Sequence, residues 1–238
     1  MGWPSSSKAS LRRMADWGRL ASLNGWLAAL DRVLRALSGG CVRLHKYYFM
    51  AQPVVAKSWL PPHRGTTVQI RPVAATDPVL EAMPRPKAVF PYRFQQGALC
   101  LGAFKATSCL GFVWFTFGPY QEDEVRCRYI PLPEGQSAWD FDLYVDPAHR
   151  NGVAFLRLWD EANRVLSARG VRWSLSRISA FNERSIASHR RLAARRIGTA
   201  MFLVAGSWQV SLASVKPFFF LSPRSDSFPE FALDPDYA

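Results

Sequence analysis

The sequence predicts a mixed α/β fold in which helices flank a central, mostly antiparallel sheet, with a helical extension at the N-terminus. Several apolar, β-rich runs precede a strand–turn–helix–strand unit, and a further helix and a hairpin follow that unit. The 238 residues suffice for one sizeable domain with an extension. Hydrophobic residues make up 49% and charged residues 20% of the chain, so most of it can bury a core.

The first predicted element is a helix over residues 21–38, which Gly39-Gly40 ends. Its apolar residues recur at three- and four-residue spacing and form one stripe: Leu23, Trp26, Leu27, Leu30, Val33, Leu34 and Leu37. Asp31, Arg32 and Arg35 occupy the other face. Residues 1–50 hold eight basic and two acidic side chains. Two interpretations follow: residues 8–38 contact an anionic membrane surface, or the stripe packs on the domain or on the second subunit of a homodimer.

The middle of the chain is predicted to be mainly β-structure. Four apolar runs are predicted strands: 45–55, 66–73, 98–105 and 107–118. Residues 76–83 predict a short helix that Thr76 or Asp77 caps. Residues 85–97 are predicted to be irregular or weakly helical, and 121–136 to form a charged, proline-containing loop.

The pattern is sharpest from residue 137 onward. SAWDFDLYV alternates as a period-two strand, with Trp139, Phe141 and Leu143 on one face and Asp140, Asp142 and Tyr144 on the other. An amphipathic helix over 152–169 and a strand over 171–180 follow. Asn182 is a good N-cap for the next helix.

The last third of the chain divides into a hairpin and a tail. The residues between Arg196 and Lys216 carry no charge and could span a bilayer, but Gly206-Ser207 between two β-rich runs predicts a buried hairpin instead. The tail after Lys216 is predicted to pack its aromatic residues without regular structure. The predicted division is therefore a basic helical extension (1–45), a main domain (46–215) and a Pro/Phe-rich tail (216–238).

The charge and the cysteine content indicate which binding partners and which cellular compartment to expect. The net charge of +12 is suited to attracting polyanions such as anionic lipids or phosphorylated cofactors. The alternative is a basic, soluble surface that has no particular partner. No recognised nucleic-acid module accompanies the arginines, so nucleic acid is not an expected partner. The four cysteines form no metal-ligand spacing or disulfide framework, and no secretory signal is visible. We expect a cytoplasmic protein, at most peripheral to the inner face of a membrane, without a metal.

The turn over 146–154 joins a strand to a helix and has the chemistry of a phosphate site. Backbone N–H groups at a helix start point outward and carry partial positive charge, which suits a pyrophosphate. Gly152 lets such a group approach the backbone closely. Many strand–helix turns contain a glycine, so this pattern alone is not specific.

The stretch from Trp139 to Ser214 resembles the GNAT superfamily of acyl-CoA-dependent N-acyltransferases. The acyl-CoA loop of that family is Gln/Arg-x-x-Gly-x-Gly/Ala, and the corresponding residues here are His149, Arg150, Asn151, Gly152, Val153 and Ala154. Gly152 and Ala154 match, whereas the leading position holds His149 and Arg150 is displaced by one. A second family pattern is matched by four residues, Asn182, Ser185, His189 and Leu192, with Ala193 in place of the family glycine.

The resemblance implies roles for these residues. The acyl-CoA co-substrate would contact the loop 149–154, Asn182, Ser185 and the backbone of the preceding strand at Leu143, Tyr144 and Val145, where an N–H polarises the thioester carbonyl. His189 fills the position of the group that protonates the leaving thiolate, although it is alternatively a helix histidine that only hydrogen-bonds a neighbour. Asp140 or Asp142 would take a proton from the incoming amine, or is alternatively solvated or paired with Arg177.

The function that the resemblance implies is transfer of an acyl group, most simply acetyl from acetyl-CoA, to an amine by direct attack. No cysteine or serine has the setting of a covalent nucleophile. Two alternatives stay open: long-chain acyl transfer from CoA or a carrier protein at a membrane surface, and a catalytically silent GNAT-like binding domain. The acceptor would be selected by the loops 74–97 and 118–137.

Overall fold

The computed structural model describes residues 23–150 and 152–237. Its helices are α1 (Leu23–Leu37), α2 (Val89–Gln95), α3 (Ala154–Ser167) and α4 (Glu183–Arg191). The strands are β1 (Val42–Pro53), β2 (Gln69–Val73), β3 (Leu99–Lys105), β4 (Ser108–Thr116), β5 (Tyr120–Gln121), β6 (Arg128–Pro131), β7 (Ser137–Val145), β8 (Trp173–Ser179), β9 (Arg195–Ala205), β10 (Trp208–Ala213), β11 (Phe219–Ser222) and β12 (Glu230–Leu233). Short 3-10 turns occupy Pro78–Glu81, Pro147–His149 and Pro235–Tyr237.

The described residues form one nine-stranded sheet with the order β11-β10-β9-β1-β8-β7-β4-β3-β2. All neighbouring strands are antiparallel except β7 and β8, which are parallel and joined through α3. The predicted mixed α/β class with a mostly antiparallel sheet is confirmed.

Both faces of the sheet are covered around β7 and β8. One face carries α3 and α4, which meet where the His189 ring packs edge-on against Phe155 and Trp159. The other face carries α2 and a three-stranded sheet of order β12-β6-β5, and contributes Phe90 and Tyr129 to the main core. The parallel pair therefore lies in the middle of a three-layer structure.

Strand β1 comes from the N-terminal part of the chain, yet it lies between β8 and β9. Its side chains are buried on both faces, with Tyr47 and Phe49 in the main core and Met50 on the side of α4. The predicted limit between extension and domain, at residues 45 and 46, falls inside this strand. The three-part division of the chain stays a prediction.

The predicted helix over 21–38 is present within the described residues as α1. Its orientation differs from the predicted one in which the apolar stripe packs on the domain. Asp31 is the buried residue of α1, where it accepts a hydrogen bond from the backbone N–H of Leu44 at 2.8 Å. Asn24 donates to the Tyr48 hydroxyl at 2.8 Å. The polar side of the helix thus faces β1, and much of the apolar stripe is exposed.

Two segments predicted to be irregular contain strands, and those predictions are wrong. The tail after Lys216 forms β11 and β12, and the charged loop over 121–136 contains β6. β12 pairs with β6 in parallel register, with Phe231 opposite Tyr129, and both rings are fully buried. Pairing between segments a hundred residues apart leaves no local signal in either segment.

The predicted alternation along β7 holds only as far as Phe141. Asp142 has a φ of 50°, and the register with β4 shifts between Phe112 and Trp114, so β7 contains a bulge at this point. Beyond the bulge, Tyr144 stacks on Phe112, while Leu143 packs on the side of α3. The predicted faces of Leu143 and Tyr144 are therefore exchanged.

Ala193 has a φ of 61°, at the position where the family pattern has glycine. A left-handed conformation costs an L-residue about 1–2 kcal/mol, and the greater freedom of glycine in the unfolded chain offsets part of this. We expect Ala193→Gly to raise the free energy of unfolding by about 0.5–1 kcal/mol in urea titrations.

The matched control is Ala168→Gly, at an exposed right-handed position with a φ of −60° that follows α3. It is expected to lower stability by about 0.5–1 kcal/mol. Equal destabilisation by both substitutions would contradict a strained backbone at Ala193.

Candidate functional site

A cleft opens where the parallel strands β7 and β8 separate. The two strands pair from Ser137 with Trp173 to Asp140 with Ser176, and no further pair follows. Between the separated ends lies a cavity of ≈ 570 Å³ that α4, α2 and the loop over 122–124 also line. The cleft therefore reaches from the α4 face of the sheet to the face that carries α2.

Asp140 lies at the apex of this cleft, at the last paired position of β7. Its side chain is buried and accepts a hydrogen bond from the Ser174 hydroxyl at 2.6 Å. Burial raises the pKa of Asp140 to about 7, and hydroxyl hydrogen bonds oppose this shift in part. Among the described residues no cation is paired with it, so Asp140 is a carboxyl group that can exchange a proton near neutral pH.

Asp142 has a different environment because two arginines hold its carboxylate. The Arg85 Nε donates to both oxygens, at 2.8 and 2.9 Å, and Arg93 forms a second ion pair with the same group. Arg93 also donates to Asp123 at 2.8 Å through its Nε. Asp142 is thus the centre of a structural ion-pair network, and its lone pairs are engaged.

A second network on the same side of the cleft centres on Arg177. It donates to Glu122 at 2.9 and 3.0 Å and pairs with Glu124 at 2.8 Å. Glu124 also accepts a hydrogen bond from Tyr47 at 2.8 Å. Burial tends to raise the pKa of Glu122, but the guanidinium of Arg177 prevails and lowers it. The predicted alternative that Arg177 pairs with Asp140 or Asp142 is wrong.

Arg43 lines the cleft without a partner. Its Nε is buried and unpaired, and within residues 23–150 and 152–237 its guanidinium makes no ion pair. The same side chain lines a smaller adjoining cavity of ≈ 140 Å³ beside Asp31 and Arg35 of α1. A half-buried guanidinium that lines a cleft and makes no ion pair is suited to binding an anionic group.

His189 borders the cleft from α4. Its Nδ1 lies 2.9 Å from the Ser185 carbonyl oxygen one turn earlier, and its ring is buried between Phe155 and Trp159. Burial lowers the pKa of His189, which favours the neutral ring. In the neutral ring the proton lies on Nδ1, which donates to the carbonyl, and leaves Nε2 as a hydrogen-bond acceptor. This environment opposes the predicted role as proton donor.

The predicted phosphate loop lies at the start of α3, beside a second cavity of ≈ 470 Å³. No side chain caps α3 in the described structure, so its first N–H groups are available to a ligand. Three arginines line the cavity, Arg150 before the helix and Arg184 and Arg191 from α4. Arg150 also donates to the Val145 carbonyl at 3.1 Å. Asn151 lies outside the described residues.

The structure brings most of the predicted site residues to these two cavities. Asp140, Asp142, Leu143, Asn182, Ser185 and His189 line the cleft, whereas Val145, Arg150 and Gly152 line the cavity at α3. His149 is exposed, with its Nδ1 3.4 Å from Asp146, and Ala154 is buried in the first turn of α3. Val153 packs against the α3 side of the core, and Tyr144 packs against the opposite core.

Sequence reasoning missed several charged residues that line the cleft: Arg43, Arg85, Arg93 and Glu122 to Glu124. The run Gln121-Glu122-Asp123-Glu124 was the visible signal, because three consecutive acidic residues are unusual in this basic chain. Within the described part of the chain no three His, Cys, Asp or Glu side chains are grouped as metal ligands. There, too, no helix is both long and apolar enough to cross a membrane.

No protein-family model and no curated protein matches the sequence. Among solved structures, a conserved protein of unknown function from Staphylococcus epidermidis aligns with a TM-score of 0.50 and 12% identity over 74% of this chain. A tandem GNAT protein of the clavulanic acid biosynthesis pathway aligns with a TM-score of 0.46 and 12% identity over 69% of it. A protein named as a GNAT-family acetyltransferase from Novosphingobium aromaticivorans has a TM-score of 0.47 and 17% identity over 68%.

The chain spans 66%, 55% and 65% of these three structures, respectively, which is less than two thirds of each. Two of these three structures are named as GNAT proteins. At these identities the likeness concerns the fold alone.

Proposed function

We propose that this protein transfers an acyl group, most simply acetyl, from acyl-CoA to an amine by direct attack. The observation that carries the proposal is the separation of β7 and β8 after Asp140, which leaves a cleft through the sheet with a proton-exchanging carboxyl at its apex. Donor and acceptor can then enter from opposite faces and meet at that apex. Holding two reactants in this way removes much of the entropic barrier to their reaction.

The donor binds on the side of α3 and α4. The free N–H groups at the start of α3, with Arg150, Arg184 and Arg191, bind the phosphates of CoA. From there the pantetheine arm follows Leu143 to Val145, whose edge toward β8 has no ladder partner. A backbone N–H on this edge polarises the thioester carbonyl and stabilises the oxyanion that forms on it.

The reaction begins when Asp140 takes a proton from the acceptor ammonium. The freed lone pair attacks the thioester carbon and forms a tetrahedral oxyanion. The oxyanion collapses, the carbon–sulfur bond breaks, and the CoA thiolate leaves. The amide nitrogen releases its second proton, which neutralises the thiolate directly or through water. His189 Nε2 acts here as a hydrogen-bond acceptor that orients the thiol or the amine.

Direct attack is favoured over a covalent enzyme intermediate by the state of the cysteines. Cys100 and Cys127 are buried, and burial raises the pKa of both thiols. A thiol with a raised pKa is a poor nucleophile because the thiolate is the reactive form. Cys41 and Cys109 are more accessible, but none of the four cysteines lines the cleft or the cavity at α3.

The acceptor carries an anionic group in addition to its amine. The ion pairs within the cleft neutralise Arg85, Arg93 and Arg177, whereas Arg43 has no partner among the described residues. A carboxylate or phosphate on the acceptor supplies that partner. Asp140 then receives the amine while Arg43 holds the distal anion.

The proposal is tested by following CoA release from acetyl-CoA with matched pairs of amines, such as an amino acid and the amine that lacks its carboxylate. We expect release with the carboxylate-bearing member of at least one pair and a weaker reaction with its partner. Calorimetric titration with acetyl-CoA is the parallel measurement. Absence of any binding would overturn the enzyme proposal, and binding without turnover of any amine would favour the silent binding domain.

The phosphate site gives a further prediction. Arg191→Gln removes one guanidinium from the cavity at α3 and is expected to raise the Kd for CoA about tenfold, equivalent to ~1.4 kcal/mol. Arg190→Gln is the matched control, because Arg190 is the neighbouring exposed arginine of α4 and does not line that cavity. Isothermal titration of both variants measures the effect. Equal affinities would place the CoA phosphates elsewhere.

A second candidate is transfer of a longer acyl chain from CoA or a carrier protein at a membrane surface. The specific observation in its favour is the exposed apolar stripe of α1, which adjoins one end of the cleft through Arg43. Comparing turnover of acetyl-CoA and palmitoyl-CoA, with and without vesicles, distinguishes the two donors. Equal rates with acetyl-CoA in both conditions, and none with the long chain, would remove this candidate.

A further inference from the structure

Strands β10 and β11, at one end of the main sheet, have an inverted distribution of polar and apolar side chains. On β10, Gln209 and Ser211 are buried, whereas Trp208 and Leu212 are exposed, Trp208 by 54%. On β11, Ser222 is likewise buried, whereas Phe219 and Leu221 are exposed. In an ordinary sheet with one face in water, the apolar side chains are buried and the polar ones are exposed, so this distribution is the reverse.

Register places the exposed residues on one face. Leu203 of β9 lies opposite Val210, Leu212 lies opposite Phe219, and Val210 lies opposite Leu221. Side chains opposite one another in a ladder point to the same side of a sheet. We define the apolar sheet face as its five exposed members: Leu203, Trp208, Leu212, Phe219 and Leu221.

Helix α1 extends this face. It packs on the side of β1 that bears Lys46 and Tyr48, and Lys46 lies opposite Met201 of β9, so α1 and the apolar sheet face share one side of the sheet. The exposed stripe of α1 includes Trp26, which is 63% exposed, with the other members Leu23, Leu30, Val33 and Leu37. An exposed apolar surface of this extent marks an interaction site.

Charge around this surface is positive. Residues 196–222 contain Arg196 and Lys216 and no acidic residue, and Arg196 lies over the Tyr48 ring on the side of the sheet that carries α1. In α1 the single acidic residue, Asp31, is buried and paired with Arg35 at 2.9 Å, which leaves Arg32 exposed and unopposed within that helix. A protein surface as a partner requires complementary apolar shape, whereas an anionic lipid surface requires only apolar insertion with a basic rim.

We propose that the apolar sheet face and α1 rest together on an anionic lipid bilayer, with Trp26 and Trp208 at the level of the headgroups. Tryptophan is enriched at that level because its ring is amphipathic. Binding combines burial of the exposed side chains with electrostatic attraction of the surrounding Lys and Arg to anionic lipid. One end of the cleft adjoins α1, so docking brings that end close to the bilayer.

Co-sedimentation of the full chain with vesicles tests the proposal without any acyl-CoA, so its outcome is independent of the proposed activity. We expect binding to phosphatidylcholine vesicles that contain phosphatidylglycerol, weakening in high salt, and little binding to phosphatidylcholine alone. Trp208→Ser with Leu212→Ser, and separately Trp26→Ser with Leu30→Ser, are each expected to reduce the partition coefficient at least tenfold. Point variants are preferred to deletion of residues 1–45, because that deletion would cut into β1.

The matched control is Tyr237→Ser, which removes a 91% exposed aromatic residue outside this surface. It is expected to bind vesicles like the unaltered protein, and all variants are expected to keep the same melting temperature because the replaced side chains are exposed. Absence of binding to anionic vesicles, or equal loss in the control, would overturn the proposal. A stable dimer in light scattering that both double variants dissociate, without vesicle binding, would overturn it in favour of a second copy of the chain.

Discussion

Asp140→Asn is expected to lower kcat/KM for acyl transfer by about 10²–10⁴-fold, the range that a general base contributes. The amide has nearly the shape of the carboxyl group and can keep the hydrogen bond with Ser174, so the geometry of the cleft is retained. What is lost is the capacity to take a proton from the acceptor ammonium. The measurement is initial-rate kinetics of CoA release with the acceptor found in the amine panel.

The pH dependence separates a base from a merely structural carboxyl group. Because burial raises the pKa of Asp140 to about 7, kcat/KM of the unaltered protein is expected to rise with pH up to about that value. This ascending limb is absent in Asp140→Asn. Ser174→Ala removes a hydrogen bond that lowers the pKa of Asp140, and is expected to move the limb to higher pH. A limb that stays unchanged in both variants would exclude Asp140 as the base.

The same carboxyl group makes stability depend on pH in a predictable direction. In the unfolded chain Asp140 releases its proton near its ordinary pKa of 3.8, whereas in the folded protein it keeps the proton until about 7. The folded state therefore binds more protons between these values, and its stability falls as pH rises through that window. Each unit of pKa difference corresponds to about 1.4 kcal/mol, so the loss amounts to a few kcal/mol.

Asp140→Asn is consequently expected to be more stable than the unaltered protein at pH 8 while being nearly inactive. Ser176 lies next to Asp140 in the cleft, and its hydroxyl oxygen can accept a hydrogen bond from the new amide. Urea unfolding at pH 5 and pH 8 measures the change, with exposed Asp226→Asn as the control that alters neither stability nor activity. Lower stability of Asp140→Asn at pH 8 would contradict a buried, proton-exchanging carboxyl group.

Local signals in the sequence predicted those parts of the site that one segment builds by itself. Asn182 caps α4 as expected, accepting a hydrogen bond from the Ser185 N–H at 3.1 Å. The turn at Gly206-Ser207 joins β9 to β10 as expected, with a φ of 58° at the glycine, but the hairpin is not buried as predicted, because Leu203, Trp208 and Leu212 are exposed on one face. In both places the side chain or the backbone freedom that defines the feature is encoded within a few residues.

The remaining features depend on distant segments, and no local pattern encodes them. Strand β1 enters the centre of the sheet because its residues are apolar on both faces, but many positions in a sheet satisfy that pattern. The charged side chains of the cleft come from α2, the loop over 122–124 and β8, and their pairing emerges only when the fold assembles them. The bulge at Asp142 likewise requires the partner strand β4.

Arg177→Met is expected to lower the free energy of unfolding by about 3–5 kcal/mol, because it leaves Glu122 as a buried charge without its counterion. The Glu122 side chain is only 2% exposed and takes both guanidinium hydrogen bonds from Arg177. Arg164→Met is the matched control, since it removes another Arg–Glu pair, with Glu161, in which the arginine is 69% exposed. An exposed pair contributes about 0–1 kcal/mol.

The cost in Arg177→Met is expected to depend on pH. Arg177 lowers the pKa of Glu122 below its ordinary value of 4.5, so the contribution of the pair is present above that value and is lost as pH falls through the folded-state pKa. In the variant, only the hydrogen bonds from the N–H groups of Asp123 and Glu124 oppose the effect of burial, so the pKa of Glu122 rises and the difference from the unaltered protein narrows in acid. Glu122→Met combined with Arg177→Met is expected to recover much of the loss, because a buried ion pair replaced by apolar residues of similar volume is often tolerated. Urea titrations of the unaltered protein, Arg177→Met, the double variant and the Arg164→Met control across this pH range measure these differences. A double variant no more stable than Arg177→Met alone would mean that the arginine stabilises the fold through packing on Tyr47 rather than through its ion pair with Glu122.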